Sequence, residues 1–412
     1  MDKKEINQRF AKELITWSKT GKLPESANQD VRYSLELQQE RLAQRNLRME
    51  YELAPPRDEK DITMGGMYGR ASRKSTKYES YIDFRSCTKT IRFFRDGKKR
   101  FEKKSQEVLY VTTTWLKEGR VNETENYCCP ACGAINTIKV LQEGCAYCHT
   151  KFMMSDLFPK VTSYLYVRDY AARETVKKSA SGFALAGAAV GVLFSLFIMK
   201  EETFLLGILY ILGSAAGFAL IGYVVWAFGM VGKLLLAAIG SVSPLVKQQA
   251  AKNKITTLLS GFDTSFSWDY FTNQLVSTLK IIIFSSDRRN LAVYEGNDPH
   301  PEFDEIIEAS FQGKISMNYY RMNGNYCYLN LDVPMMDVHD NGRKIYQRED
   351  VFRIGIVKDI TRKEEVGFSV QKVQCKNCGG SFDAMNERHC PYCGQPYDIK
   401  EDEWVVADIR KF

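Results

Sequence analysis

The stretch from Phe183 to Met230 constrains this chain more than any other feature. Residues 183–199 read FALAGAAVGVLFSLFIM without a charge; Lys200, Glu201 and Glu202 interrupt, and Phe204 to Met230 is again uncharged. A helix rises about 1.5 Å per residue, so about twenty residues cross a hydrocarbon core of roughly 30 Å. The second run exceeds that length, and the first reaches it with Ser181 and Gly182. The pattern predicts a transmembrane hairpin over 181–230. Gly187/Gly191 and Gly213/Gly217 have the small-xxx-small spacing that lets two helices approach closely. Neither run contains Asp, Glu, Lys, Arg or His. Ion and proton paths need such groups, so the hairpin reads as an anchor.

The flanks orient it. Residues 160–181 hold five basic and two acidic residues, and residues 231–260 hold four lysines and no acid. Basic residues collect on the cytoplasmic side, which places both large flanks, and both termini, in the cytoplasm. The opening MDKKEINQRFAKELITWSKTGKLP has no apolar core of a secretory signal, in keeping with a cytoplasmic start. An inner, cytoplasmic membrane location with two passes is the expectation. Val231–Val246 is apolar but carries Lys233, glycines and Pro244, and is expected as an interfacial helix within a linker over 231–261. The formal charge of +7, from 57 basic and 50 acidic residues, is mild for 412 residues. Part of it lies beside the membrane, where anionic lipid attracts it, so nucleic-acid binding is not expected.

Residues 1–55 read as helices: Ile6, Phe10, Leu14 and Trp17 share a helical face, and a second helix is expected over Val31–Tyr51 before Pro55-Pro56. Gly65–Lys77 reads as a loop. Over 56–128 the pattern turns to strands, Phe84–Phe94 and Val108–Leu116, with Asp96-Gly97 as a hairpin turn. Val161–Tyr166 is a further strand. Beyond the hairpin, 266–289 and Phe303–Phe311 read as helices. Ile315–Arg321, Tyr326–Val338, Val351–Val357, Val366–Val373 and Glu403–Ile409 read as strands, with Asn341-Gly342 as a turn.

The two polar halves share an order of turn, strand, CxxC, CxxC and strand. Asp96-Gly97 precedes Glu107-Val108, as Asn341-Gly342 precedes Asp350-Val351. From turn glycine to first ribbon cysteine is 32 residues in one half and 33 in the other. A duplicated α+β module with a metal ribbon, split by the hairpin, is the expected architecture.

Cys129, Cys132, Cys145 and Cys148 form one quartet, and Cys375, Cys378, Cys390 and Cys393 the other. Two CxxC knuckles joined by a short hairpin complete a tetrahedral four-sulfur site, for which zinc is the first expectation. Four thiolates leave no open position, so both zinc ions are read as structural. The ribbon segments are 129–170 and 374–412. Cys128 lacks the two-residue spacing to Cys132. Core packing is expected for Cys87 and Cys327, and hydrogen bonding or exposure for His149 and His389. No HExxH, GxSxG or P-loop occurs. His339, between Asp337 and Asp340, is the remaining acid–base candidate and falls at a strand end.

FDTSFSWDYFTNQLVSTLKIIIFSSDRRNL, then FDEIIEASF, YCYLNLDVPMMDV and VFRIGIVKD, resemble the Tim-forty-four-like domain family over about 262–412, and more faintly over 30–170. The family's opening pattern falls on Asp263, Phe266 and Phe271. Its terminal Cys₄ ribbon and Trp-containing strand fall on Cys375, Cys378, Cys390, Cys393 and Trp404. The resemblance implies a cone-shaped α+β fold similar to nuclear transport factor 2 over 262–373. It also implies a bacterial membrane protein, and contact with a membrane or partner through the sheet, not catalysis. Together these readings describe a membrane-anchored adaptor without enzymatic activity. Its partner is a protein or anionic lipid, and a homo-oligomer is compatible. The alternatives are a component of a transport or translocation complex, and an enzyme using the pocket of the cone. The Tyr319–Tyr328 stretch, with Tyr319, Tyr320, Tyr326, Tyr328 and Arg321, is the expected contact surface.

Overall fold

A computed structural model describes residues 3–54, 69–74, 78–116, 160–168, 173–198, 204–262, 266–361 and 404–412, together with parts of 124–153 and 369–400. The chain forms two compact units. One combines residues 1–55, 68–168 and 250–412; the other holds residues 56–67 and 169–249.

The first unit opens with α1 (Lys3–Thr20) and α2 (Gln29–Gln44). Ile6, Phe10, Leu14 and Trp17 are all buried, as their spacing predicts. The Asn28 side chain caps α2 by accepting from the Val31 N–H at 3.0 Å, satisfying one donor that the first turn leaves unpaired. The helical reading of 31–51 is corrected here. The helix stops at Gln44, Asn46 takes a left-handed conformation (φ 52°) that asparagine tolerates, and β1 (Leu47–Ala54) follows. Leu47, Met49 and Tyr51 alternate inward, a period of two that overrides the charged, helix-favouring composition.

β2 (Gly69–Lys74) lies where a loop is expected and pairs with β3 (Tyr78–Arg95). β3 and β4 (Lys98–Leu116) form a long hairpin. At its turn Asp96 and Gly97 both have positive φ, the geometry that matches the strands' right-handed twist. The short strands β5 (Asn126–Cys128) and β6 (Ile135–Thr137) pair; α3 (Ile138–Glu143) and β7 (Phe152–Met153) complete the first ribbon region. β8 (Lys160–Arg168) returns to pair with β4, giving the order β1-β3-β4-β8 with β2 also on β3.

The second unit contains α4 (Arg173–Ile198) and the start of α5 (Phe204–Ser260). Ala180–Phe197 and Gly207–Gly229 are long and apolar enough to cross a membrane. Large apolar side chains such as Leu185, Phe197, Leu212 and Phe228 stand exposed along them. The helices meet at the small residues of α4: a Cβ on Gly187 would lie 2.2 Å from the Phe218 carbonyl oxygen, and one on Gly191 would lie 2.6 Å from that of Ser214. On α5, however, Gly222 makes the close approach, whereas Gly213 and Gly217 face open space. Ser195 and Ser214 are hydrogen-bonded across the pair. Residues 231–246, expected as a helix, continue α5 without a break at Pro244.

α5 ends inside the first unit, where Ile255 and Leu259 are buried. There α6 (Trp268–Phe284), capped by Ser267, packs with them on the second sheet. The Phe303–Phe311 helix is also corrected. A 3₁₀ turn at Pro301–Phe303 leads into β9 (Ile306–Phe311), all six residues of which are buried. β10 (Ser316–Asn323), β11 (Tyr326–Asp340) and β12 (Ile345–Asp359) follow. β13 (Ser369–Val370) pairs with β7; β14 (Lys372–Gln374) and β15 (Ser381–Asp383) form a small hairpin; β16 (Val405–Lys411) closes the chain. The order is β10-β11-β12-β16, with β9 also on β11.

The two large sheets share one connectivity. In each, two strands pair with the first arm of a long hairpin, and the closing strand pairs with the second arm after a ribbon. Each closing strand also meets an earlier loop in parallel, Ala27 with Val161 and Tyr294 with Val406. Both sheets lie in one unit, and Ile307 and Val338 of the second belong to the core built on the first. Asn273 of α6 donates to Thr162 of β8 at 2.9 Å, and Gln38 of α2 donates to the Ile307 carbonyl at 2.9 Å. Arg41, 3% exposed, donates to the carbonyls of Phe303, Phe284 and Ser285 at 2.8, 3.2 and 3.2 Å.

Candidate metal centres

Each cysteine quartet gathers its sulfurs at one point. Within Cys129, Cys132, Cys145 and Cys148, and within Cys375, Cys378, Cys390 and Cys393, one Sγ from each residue lies within 4.8 Å of the others. The crossed pairs Cys129–Cys148 and Cys132–Cys145 stand at 3.7 Å. Cys375–Cys393 and Cys378–Cys390 stand at 3.6 and 3.5 Å. Metal–sulfur bonds of about 2.3 Å in a tetrahedron place sulfurs about 3.8 Å apart, whereas a disulfide requires about 2.05 Å. The geometry fits two four-sulfur metal sites, one in each ribbon.

Local backbone shapes each site. The Cys129 N–H donates to Ala134 O at 2.8 Å, and the Cys390 N–H to Gln395 O at 2.8 Å, folding each knuckle back on itself. Asn136 and Asn377 point amide donors at Cys145 Sγ (3.5 Å) and Cys393 Sγ (3.7 Å). Hydrogen bonding from the Gln395 backbone and from Asn377 pulls the Cys393 thiol down to about 6, favouring the thiolate that a metal requires. The residue after the last ligand is left-handed in both ribbons: Gly394 at φ 72° and His149 at φ 56°. His149 therefore stands where the second ribbon uses glycine. Of the glycines that follow a knuckle, Gly133 and Gly379 lie outside the described residues.

The remaining candidates separate by environment. Cys87 and Cys327 are buried in β3 and β11, and burial pushes their thiols up to about 12 and about 11. His300 stacks on Phe303 and shares a hydrogen bond with Tyr294 Oη. His339 bonds through Nε2 to Asp350 Oδ2 at 2.7 Å. Asp340, its neighbour in sequence, instead receives Arg45 and Arg95.

The Tyr319–Tyr328 stretch divides between two faces. Tyr319 and Tyr328 stack with centroids 6.0 Å apart, and the Arg321 guanidinium lies 5.3 and 5.2 Å from their rings. Tyr328 Oη donates to Asp408 at 2.6 Å. Beside this ladder, Arg353 grips Asp332 through Nε and a second guanidinium nitrogen, at 2.7 and 3.0 Å. Tyr320 turns to the other side, where Lys254 sits 5.8 Å from its ring.

A third polar group went unnoticed in the sequence because its members come from distant strands. Lys89 lies 3.6 Å from Glu308 and 3.9 Å from Glu107, and 3.9 Å from the Tyr166 ring. Tyr51 Oη donates to Glu308 at 3.0 Å. Lys280 stands over Tyr164 at 4.4 Å, and burial pushes its ammonium down to about 8. Comparison with protein-family models, curated proteins and solved structures gives no match to this chain.

Proposed function

We propose that this chain is a membrane-anchored adaptor. A two-span hairpin tethers it, two structural zinc ions brace it, and one folded unit made from both polar halves binds a protein partner or anionic lipid head groups. The observation that carries the reading is the shared core. Residues 1–55, 68–168 and 250–412 contribute to the same compact unit, so the apolar segment between the two halves must leave and re-enter on the same side of a bilayer. Two spans do that. The basic flanks assign that side to the cytoplasm.

Zinc is the proposed occupant of both quartets because four thiolates suit a borderline-soft ion with no geometric preference of its own. The common connectivity of the two sheets supports a duplicated module of the cone-shaped, nuclear-transport-factor-2-like kind, and the Tim-forty-four-like resemblance stands as part of the same proposal. α6 packs on the second sheet, where Phe271, Leu275 and Leu279 share a core with Leu329, Ile354 and Ile356.

The proposed contact surface is the Tyr319–Arg321–Tyr328 ladder with its Arg353–Asp332 neighbour. Tyr319 is 43% exposed, and stacking already holds it. Aromatic residues and arginine held in place before contact give up little conformational entropy on binding. A photo-crosslinking residue in place of Tyr319, activated in native membranes, should capture a defined partner that Arg321→Glu loses and Arg289→Ala keeps. Identical capture with Arg321→Glu would overturn this surface.

A further inference from the structure

At the end of the second sheet, next to the Asn341-Gly342 turn, three chemistry-bearing side chains meet outside both ribbons. Asp337 and His339 lie two residues apart on β11, and Asp350 reaches them from β12. One ligand atom from each lies within 4.8 Å of the others. Exposure is 0% for Asp337, 0% for His339 and 1% for Asp350. Asp350 is well partnered: Oδ1 accepts from Arg348 Nε at 2.6 Å, and Oδ2 faces His339 Nε2 at 2.7 Å and Lys411 Nζ at 3.9 Å. Asp337 has no such partners. Neither of its carboxylate oxygens has a hydrogen bond, and Nδ1 of His339 has none either.

A buried carboxylate without a donor costs several kcal/mol unless something neutralises it. The Asp350 carboxylate of the same cluster adds a second negative charge beside it. Two remedies exist, a proton on Asp337 or a cation between the carboxylates. A proton satisfies one oxygen of Asp337; a dication takes an oxygen from each carboxylate and a nitrogen of His339 together.

We propose that Asp337, His339 and Asp350 form a third metal site, which takes a divalent ion of the manganese or zinc kind. Two carboxylates and an imidazole are a hard-to-borderline donor set, unlike the thiolate ribbons. Cis ligands on bonds of about 2.1 Å stand roughly 3.0–3.4 Å apart; His339 Nε2 and Asp350 Oδ2 stand at 2.7 Å and all three ligand atoms within 4.8 Å, so His339 and Asp350 part slightly to admit an ion. Arg348, holding Asp350 Oδ1, leaves Oδ2 for the ion and fixes the carboxylate's orientation, the usual office of an outer-shell donor. Lys411 has an alternative acceptor, the Glu302 carbonyl at 3.1 Å, to which it can withdraw. With all three ligands buried, the ion would be structural. It would pin β11 to β12 beside the point where Arg45 and Arg95 of the first half hold Asp340.

Manganese separates this site from the ribbons, because thiolate quartets select softer ions. The full chain, purified in detergent with its ribbons loaded with zinc, is titrated with Mn²⁺, and the free-ion electron paramagnetic resonance signal is read. The expected result is one tightly held Mn²⁺ per chain, displaced by added Zn²⁺. Asp337→Asn keeps the shape of the side chain and mimics its protonated form; it should weaken binding by about 100-fold or more, and His339→Gln should do likewise. Arg289→Ala, at an exposed position outside the cluster, should bind as the wild type does. Near-UV circular dichroism matching the wild type establishes that each variant is folded. Absence of Mn²⁺ and of a third zinc in the wild type would overturn the proposal in favour of a protonated Asp337. Unchanged Mn²⁺ binding in both folded ligand variants would also overturn it.

Discussion

Replacing Arg41 by alanine tests whether the two polar halves are one cooperative structure. Arg41 belongs to α2 of the first half, yet its guanidinium serves the second: Phe284 and Ser285 carbonyls at the end of α6, and the Phe303 carbonyl just before β9. A positive charge at a helix C-terminus also meets the negative end of the helix dipole. The site is crowded, and burial with the nearby Arg288 charge pushes Arg41 down to about 10. Hydrogen bonds to charged groups contribute about 1.5–3 kcal/mol each. Three of good length, offset by the desolvation of the cation and by Arg288, which stays bonded to Ile282 and Ile283 carbonyls, leave roughly 3–4 kcal/mol. With a urea dependence of about 3 kcal/mol per molar, the midpoint should fall by about 1 M. Arg41→Met keeps the apolar stem and should lose somewhat less. Urea denaturation followed by tryptophan fluorescence gives the shift, and hydrogen exchange gives its extent: β3–β4 and β11–β12 should lose protection together. A midpoint change below about 0.3 M, or faster exchange confined to residues 1–54, would refute the reasoning.

Three further outcomes follow from the same geometry. Metal analysis of the gently purified chain should give about one zinc per ribbon, and Cys378→Ser should lose one and expose the second ribbon to proteolysis while Cys129–Cys148 stays loaded. His149→Gly should raise the stability of the first ribbon by about 1 kcal/mol, read as slower zinc loss to a chelator, because glycine adopts the left-handed conformation without the cost a Cβ incurs. Lys280 has its folded value pushed down to about 8 from an ordinary 10.5, so the unfolded chain binds the extra proton between them. Stability should therefore rise from about pH 8 to pH 10 relative to Lys280→Met, and a flat difference would show that Lys280 is not held in that environment.

What the sequence made legible was local. The knuckles, the Asp-Gly and Asn-Gly turns, the face of α1 and the apolar runs are set by spacing over a few residues, and the structure keeps them. β9 was misread because Ile306–Phe311 is buried on both sides and so lacks the alternation that separates strand from helix. The end of α2 was missed because a two-residue period lasting only from Leu47 to Tyr51 hides in charged sequence. Gly222 could not be told from Gly213 or Gly217, since small residues at helical spacing do not reveal which side meets the neighbour. Nothing in the sequence separates Arg41 from the other charges of α2, and nothing in it relates Asp350 to His339. Both acquire their surroundings from segments far along the chain, which only the packing of the two halves supplies.

The side of the membrane on which each segment lies tests the central claim most directly. Reporters fused at Met1, at Glu201 and at Phe412 in the full chain read this without knowledge of the partner. The account predicts that Met1 and Phe412 report the cytoplasm and Glu201 the opposite side. Met1 and Phe412 on opposite sides would contradict it outright, because halves parted by a bilayer cannot share the core that joins Arg41 to α6.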